Sequence, residues 1–349
     1  MRSRCELWRP SIRSIRRLRS RSRLARTGVT LSSSRESQLG LRWADIRPRS
    51  LPFAASDLDL RRSLDCGQTF RWRAVDDVWF GVIGDQAFRI ERIDPRRIEY
   101  RAWPSRDVDG VLWEFFRLDV DLGELRRLDD PALTPAMDAL PGLRVLGQGA
   151  VETLLTFACS PANNITRITR SIDALSQEHG QSIGSIDCVA YAAFPTTETL
   201  AEIDDANARG RANLGFRART LRSAAAHVRD GGPRWVDALQ NAPLSIAREI
   251  LTAIPGIGPK IADCVCLFGL GHDDAVPIDT HVFAIGRDTL GFPSTDSLTP
   301  RGYQRMAQAY RNRFGPWAGW AQQYFYHARR LDRRLPRPSE VRTRHARTA

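Results

Sequence analysis

Residues Leu244 to Leu270 read LSIAREILTAIPGIGPKIADCVCLFGL, two apolar stretches parted by a turn rich in glycine and proline. Leu244 to Ile254 is predicted to be an amphipathic helix, Pro255-Gly256-Ile257-Gly258-Pro259 a tight turn, and Lys260 the opening of a second apolar helix that runs to about Leu270. A proline at the start of that helix is tolerated, because the N–H groups of a first turn have no intrahelical partner. The unit 244–270 is therefore a helix-hairpin-helix. Gly256 and Gly258 let the backbone come close to a phosphate, and the free N–H groups of the helix start donate to it. A triphosphate-binding loop of the form G-x-x-x-x-G-K-[ST] is excluded, since Lys260 follows Pro259 and precedes Ile261. A hairpin that merely connects two helices remains open as an alternative.

Lys260 stands apart by residue type. The chain holds 52 basic residues and 51 of them are arginine, which leaves Lys260 as its one lysine. An arginine-rich coding bias accounts for the trend but not for the exception. A guanidinium stays protonated and cannot attack carbon, whereas an ammonium held away from water can shed its proton and become a nucleophile. The plain alternative is chance survival of one surface lysine. The net charge of +12 says less than its size promises. Residues 1–27 carry +9 and residues 329–349 carry +6, so the body between them is slightly acidic, and a face that binds a polyanion must be local.

Just beyond the hairpin, Val276-Pro277-Ile278-Asp279-Thr280-His281 sets an aspartate and a histidine ahead of another predicted helix. Asp279 fits there as an N-cap, and the same carboxylate near Lys260 would stabilise positive charge building on a sugar. Both roles are compatible. Toward the N-terminus the texture is different. Trp79 to Ile83, Ala87 to Ile93 after a Gly84-Asp85 turn, and Arg97 to Trp103 after Asp94-Pro95 read as an antiparallel meander, with Phe88 and Ile90 alternating with Arg89 and Glu91. After Pro104 the period becomes helical, first through Val108, Leu112, Phe115 and Phe116, then through Ile165, Ile168, Ile172 and Leu175.

The expected fold class is α+β, mainly α. A disordered Arg/Ser-rich arm is expected over residues 1–50 and a small antiparallel β domain with connecting helices over 51–150. A helical body containing the hairpin follows over 151–330, then a basic flexible tail over 331–349. In composition the arm matches both an organellar presequence and an overlong gene start in an arginine-biased genome. That leaves cytoplasm or nucleoid, nucleus and mitochondrion all open. No apolar run approaches the roughly 18 residues of a membrane span. The six cysteines, Cys5, Cys66, Cys159, Cys188, Cys264 and Cys266, lack disulfide-like or metal-ligand spacing, so a reduced intracellular protein without a zinc site is expected.

Taken in order, CGQTFRW (66–72), CSPANNITRIT (159–169), LGFRAR (214–219), PGIGPKIADC (255–264), AVPIDTH (275–281) and GPWAGWAQ (315–322) resemble the 8-oxoguanine DNA glycosylase family of helix-hairpin-helix base-excision enzymes. The resemblance runs over roughly residues 53–330. It implies that Lys260 attacks the deoxyribose C1′, releasing the base and leaving an imine from which the strand is cut by β-elimination. The family's catalytic aspartate falls on Asp279. The flipped base would be read by the carbonyl of Gly67 and the side chain of Gln322, between Cys264 and Tyr326 as the two faces of a sandwich. His281 corresponds to a residue that touches the DNA backbone. Arg167 and Arg217 match arginines that read the base left opposite the lesion, and Phe216 stands where the family tends to have a tyrosine wedge. Here the sequence departs from the pattern, because Ala162 occupies the place of an asparagine. Asn163 and Asn164 follow it, and a one-residue shift of the loop would let Asn163 serve.

The resemblance thus implies a glycosylase and lyase acting on oxidised purine in duplex DNA, monomeric, without a cofactor and without a membrane. An iron–sulfur cluster, which related enzymes hold through cysteines beyond the catalytic aspartate, is excluded because no cysteine follows Cys266. Two other readings stand beside it. An alkylpurine glycosylase would keep the fold and work from the aspartate alone, leaving Lys260 and Gln322 without a task. A non-enzymatic DNA-binding module would use the hairpin only as a phosphate clamp.

Overall fold

The computed structural model describes residues 40–331, apart from 52, 55, 106, 107, 109, 205–209 and 293–297; most of the expected arm and nearly all of the expected tail lie outside the described residues. In chain order the first elements are β1 (Arg49–Leu51), α1 (Leu60–Leu64), β2 (Trp72–Val75), β3 (Val78–Ile83), β4 (Gln86–Asp94), β5 (Arg97–Trp103), α2 (Val111–Phe115), α3 (Leu122–Arg126) and α4 (Leu133–Ala139). There follow α5 (Ala150–Ala158), α6 (Ile165–His179), β6 (Ser182–Ile186), β7 (Val189–Ala192), α7 (Thr197–Ala201), α8 (Arg217–Gly231) and α9 (Trp235–Asn241). The last are α10 (Leu244–Thr252), α11 (Pro259–Val265), α12 (Thr280–Asp288), α13 (Pro300–Phe314) and α14 (Ala318–Arg330).

Alternation with a period of two builds the sheet. Phe88, Ile90, Ile98 and Tyr100 turn to one face and are buried with Leu58, Leu64, Phe115 and Phe116, while Arg89 and Glu91 pair with each other at 2.5 Å. The expected meander is present as β3, β4 and β5, all antiparallel, and the sheet extends outward in the order β1-β5-β4-β3-β2. Residues 40–50, expected as part of a disordered arm, are ordered instead. Trp43 is buried against Phe80 and Tyr191, with ring centroids 6.3 and 5.8 Å away, and together with Ile46, Ile186 and Tyr191 it packs over Val82 and Ala87 on the second face of the sheet. Two large apolar side chains suffice there because the sheet already supplies the surface they pack on.

The helical body carries one strand pair that periodicity did not reveal. β6 and β7 form an antiparallel hairpin within a region expected to be helical, closed by Asp187 and Cys188 at φ 48° and 61°. Positive φ at both turn residues suits a tight hairpin, but Asp-Cys lacks the glycine that usually signals it. Helix α6 matches its expected stripe. Asn164 caps it by accepting from the Arg167 N–H at 2.9 Å, and Ile168, Ile172 and Leu175 are buried. Each buried side chain contributes about 1.5–3 kcal/mol against roughly 1 kcal/mol for the cap, so the stripe and not the cap holds the helix. Among the described residues no helix is long and apolar enough to cross a membrane.

The segment 66–72 stitches sheet to helices. Cys66 and Phe70 belong to the core of the helical body, whereas Trp72 belongs to that of the sheet. Between them Gln68 is buried, its amide donating to the carbonyls of Ser63 (2.9 Å) and Arg144 (2.7 Å) and accepting from the Leu146 N–H (3.0 Å). That network holds the backbone of Gly67 in place.

Candidate active site

The hairpin forms where it was predicted. Ile254, Ile257 and Ile261 are buried and anchor it, while Pro255 and Gly256 are exposed at its tip. Gly256 adopts φ +88°, and a Cβ there would lie 2.4 Å from the Thr220 Oγ1, so both conformation and space require glycine. Helix α11 starts at Pro259 with Gly258 as its N-cap and without a side-chain cap. The second helix was expected to run unchanged to Leu270. Instead, α11 gives way at Cys266 to a π-helical turn, Cys266–Leu270, ended by Gly271 in the left-handed region.

At the second position of α11, Lys260 lines a cleft of about 350 Å³, counted with the solvent at its mouth. Its walls include Gly67, Lys260, Cys264, Asp279, Gln322 and Tyr326, which are all the catalytic and base-contact residues named from the sequence, brought together from four separate segments. Gly67 has φ +84°, and a Cβ there would meet the Ile165 Cδ1 at 2.8 Å. Gln322 is buried, and its Oε1 has no hydrogen-bond partner among the described residues, an acceptor left open beside the cleft. Asp279 does cap α12, its Oδ1 accepting from the Val282 N–H at 2.8 Å, and the same carboxylate borders the cleft.

Sequence reasoning missed the apolar part of the wall. The Lys260 Nζ lies over the face of Phe157, 5.0 Å from the ring centroid. Phe157 stacks in turn on Phe268 (5.8 Å, 19° between planes) and meets Phe70 edge-on. Cys66, Pro277, Val282 and Gln323 complete the lining, with the Gln323 amide donating to the Cys66 Sγ at 3.3 Å. Nothing chemical marks Phe157 in the sequence; only its place on the helix before CSPANN hints at it.

Charge inside the cleft is felt by both of its faces. Burial, and then the Asp279 carboxylate, push the Tyr326 hydroxyl up to about 12. Burial raises the Cys264 thiol to about 11, while the positive charge of Lys260 pulls it back. Cys264 thus feels both the lysine and the aspartate, and Tyr326 the aspartate.

The residues expected to meet DNA lie outside the cleft. Phe216 is 66% exposed, with the Arg217 guanidinium over its ring at 4.6 Å, and Arg167, His281 and Gly256 are exposed while Gly258 is half-buried. Arg217 is engaged at home, donating through Nε to the carbonyl of Pro161 and through Nη2 to that of Ala162, both at 2.7 Å. Asn163 donates to the Cys159 carbonyl (3.2 Å) and Asn164 is the cap of α6, so neither amide is turned wholly outward. Ala162 itself sits at φ +48°, a conformation that asparagine adopts more readily than alanine.

Residues 50–154 match the family model for the N-terminal domain of 8-oxoguanine DNA glycosylase. The chain is 32% identical over 285 residues to N-glycosylase/DNA lyase OGG1 of Arabidopsis thaliana, covering 78% of this chain and 77% of that one. It is 36% identical over 190 residues to the N-glycosylase/DNA lyase of Saccharomyces cerevisiae, half of each chain. Among solved structures, the 8-oxoguanine glycosylase/lyase of Clostridium acetobutylicum, bound to double-stranded DNA with cytosine opposite 8-oxoG, superposes with TM-score 0.71 at 27% identity, over 79% of this chain and 93% of that one. MBOgg1 in complex with a low-affinity DNA ligand gives 0.72 at 29%, over 82% and 96%.

Proposed function

The chain belongs to the 8-oxoguanine DNA glycosylase family, and from this we propose that it excises 8-oxoguanine from duplex DNA and cuts the strand, with Lys260 as nucleophile. The unprotonated Nζ attacks C1′ of the flipped nucleotide as the bond from C1′ to the base nitrogen breaks, and the base leaves with the electron pair and gains a proton. Asp279 faces the positive charge that spreads over the sugar as that bond lengthens. Opening of the sugar leaves an imine between Lys260 and C1′. Loss of a C2′ proton then expels the 3′ phosphate, which is the β-elimination that breaks the strand.

Recognition falls to the rest of the wall. Gln322 offers an open acceptor to the donors on the Watson–Crick edge, Cys264 and Tyr326 enclose the ring, and the Gly67 carbonyl receives the hydrogen that oxidation adds at N7. At the surface, the hairpin N–H groups and His281 meet the DNA backbone, Arg167 and Arg217 face the base opposite the lesion, and Phe216 fills the gap left by the flipped base. The observation that carries this reading is the convergence of Gly67, Lys260, Cys264, Asp279, Gln322 and Tyr326 on one cleft.

Borohydride reduction in the presence of duplex DNA containing 8-oxoguanine is expected to trap a covalent adduct, and Lys260→Gln to abolish it. An adduct of equal strength from Lys260→Gln would remove the nucleophile from this assignment. DNA binding without release of any base would leave only the phosphate clamp, and release of methylated in preference to oxidised purines would favour the alkylpurine reading.

A further inference from the structure

Asp263 lies one residue before Cys264 and three after Lys260, is fully buried, and does not line the cleft. Its Oδ1 lies 2.9 Å from the Arg248 Nε of α10, an ion pair whose angle does not make it a hydrogen bond. Its Oδ2 accepts from the Tyr303 hydroxyl of α13 at 2.5 Å. The Tyr303 oxygen in turn accepts from the Ile278 N–H at 3.3 Å and lies 3.2 Å from the Val276 carbonyl. Ile278 is the residue immediately before Asp279. A buried carboxylate therefore links both hairpin helices, through one tyrosine, to the stretch of backbone that delivers the catalytic aspartate.

Burying a carboxylate is unfavourable, and an apolar pair of similar volume would hold three elements together at least as well. Burial pushes the Asp263 carboxyl up to about 6 even though Arg248 and the Tyr303 hydroxyl act to lower it, so the unfavourable part is not fully offset. What charged and hydrogen-bonded groups supply and apolar ones do not is a fixed direction and register. Here the fixed quantity is the offset between the start of α11, where Lys260 sits, and the backbone at 276–278.

We propose that Asp263 and Tyr303 are positioning residues for base excision, a buried strut that sets Asp279 at its working distance from Lys260. The inference rests on the reading of Lys260 and Asp279 as the reacting pair. Neither Asp263 nor Tyr303 touches the substrate. Their effect belongs to the rate of bond breaking, because an error of about 1 Å in a reacting geometry costs up to about 10²-fold, whereas the DNA-contacting surface is formed elsewhere.

Tyr303→Phe removes only the hydroxyl and keeps the ring in place under Arg248. Single-turnover base release is expected to fall roughly 10- to 100-fold. Affinity for a duplex carrying a tetrahydrofuran abasic analogue should stay within about twofold, because no DNA contact is lost. Asp263→Asn, which keeps the size but not the charge, should fall between the parent and Tyr303→Phe. The double variant should be no slower than Tyr303→Phe alone, as expected of two parts of one device. A parental rate in folded Tyr303→Phe, equal losses in rate and affinity, or multiplying losses in the double variant would each overturn the strut. If Tyr303→Phe does not fold, a folded Asp263→Asn with the parental rate does so. Lys260→Gln run alongside separates the two claims: persistent trapping in it defeats the catalytic reading, whereas its silence combined with an unaffected Tyr303→Phe defeats the strut only.

Discussion

The cleft and the loop at 161–164 are both polar, yet they hold their polar groups in opposite ways. In the cleft, the Gln322 Oε1 has no partner among the described residues, and Asp279 lines the cavity although its carboxylate also caps a helix. In the loop, Arg217 is drawn back onto two carbonyls, Asn163 onto a third, and Asn164 onto the start of α6. An open buried acceptor favours a ligand that satisfies it and penalises one that does not, whereas a group already satisfied must give up a bond before it can read anything. On the proposed function, selectivity for the flipped base is therefore expected to be built in, and selectivity for the base across from it to be weak.

The contrast is tested hardest at Asp279. Asparagine caps a helix as well as aspartate does, so Asp279→Asn should keep α12 and its thermal midpoint while base release falls by about 10²–10³-fold, as for loss of other preorganised electrostatic groups. If the rate survives, the carboxylate is only a cap. Gly67→Ala comes next. The Ile165 methyl can swing aside, but φ +84° cannot easily be shared with a Cβ, so a stability loss of about 1–3 kcal/mol is expected in urea denaturation. A fall of up to about 10²-fold in kcat/KM for 8-oxoguanine should accompany it as the carbonyl is displaced.

Changes on the loop side should be smaller. The parent is expected to discriminate only weakly among the four bases opposite 8-oxoguanine. Ala162→Asn, which returns an amide at a backbone conformation it tolerates, should raise the preference for cytosine by about tenfold, the lower end of a good base-edge contact. Strong discrimination already present in the parent would show that Arg217 leaves its carbonyls on binding. The smallest effect is expected from Asn164→Ala, which should cost about 1 kcal/mol of stability through the lost cap and leave the rate of base release unchanged.

Much of the fold was legible because its signals are local. Strands β3 to β5 follow from alternation bounded by Gly84-Asp85 and Asp94-Pro95, and α6 from a stripe of isoleucines. What escaped depends on partners distant in the chain. Trp43 has no periodic neighbours, and its place is set by Phe80 and Tyr191; the β6–β7 hairpin turns on a dipeptide without glycine. The site divides in the same way. Lys260, Asp279, Gly67 and Gln322 were accessible because their chemistry or motif names them. Phe157 and Phe268 are ordinary core aromatics until packing brings a lysine over one of them, and Asp263 with Tyr303 becomes a pair only across 40 residues of chain.

The solitary lysine also makes the molecule its own reporter. Among the side chains of the 349 residues, reagents selective for primary amines find one, Lys260, half-buried against Phe157. Reductive methylation with carbon-13 would therefore place a single side-chain resonance in the spectrum, its chemical shift following the protonation of that amine, while the dimethylated nitrogen, now tertiary, could no longer form an imine.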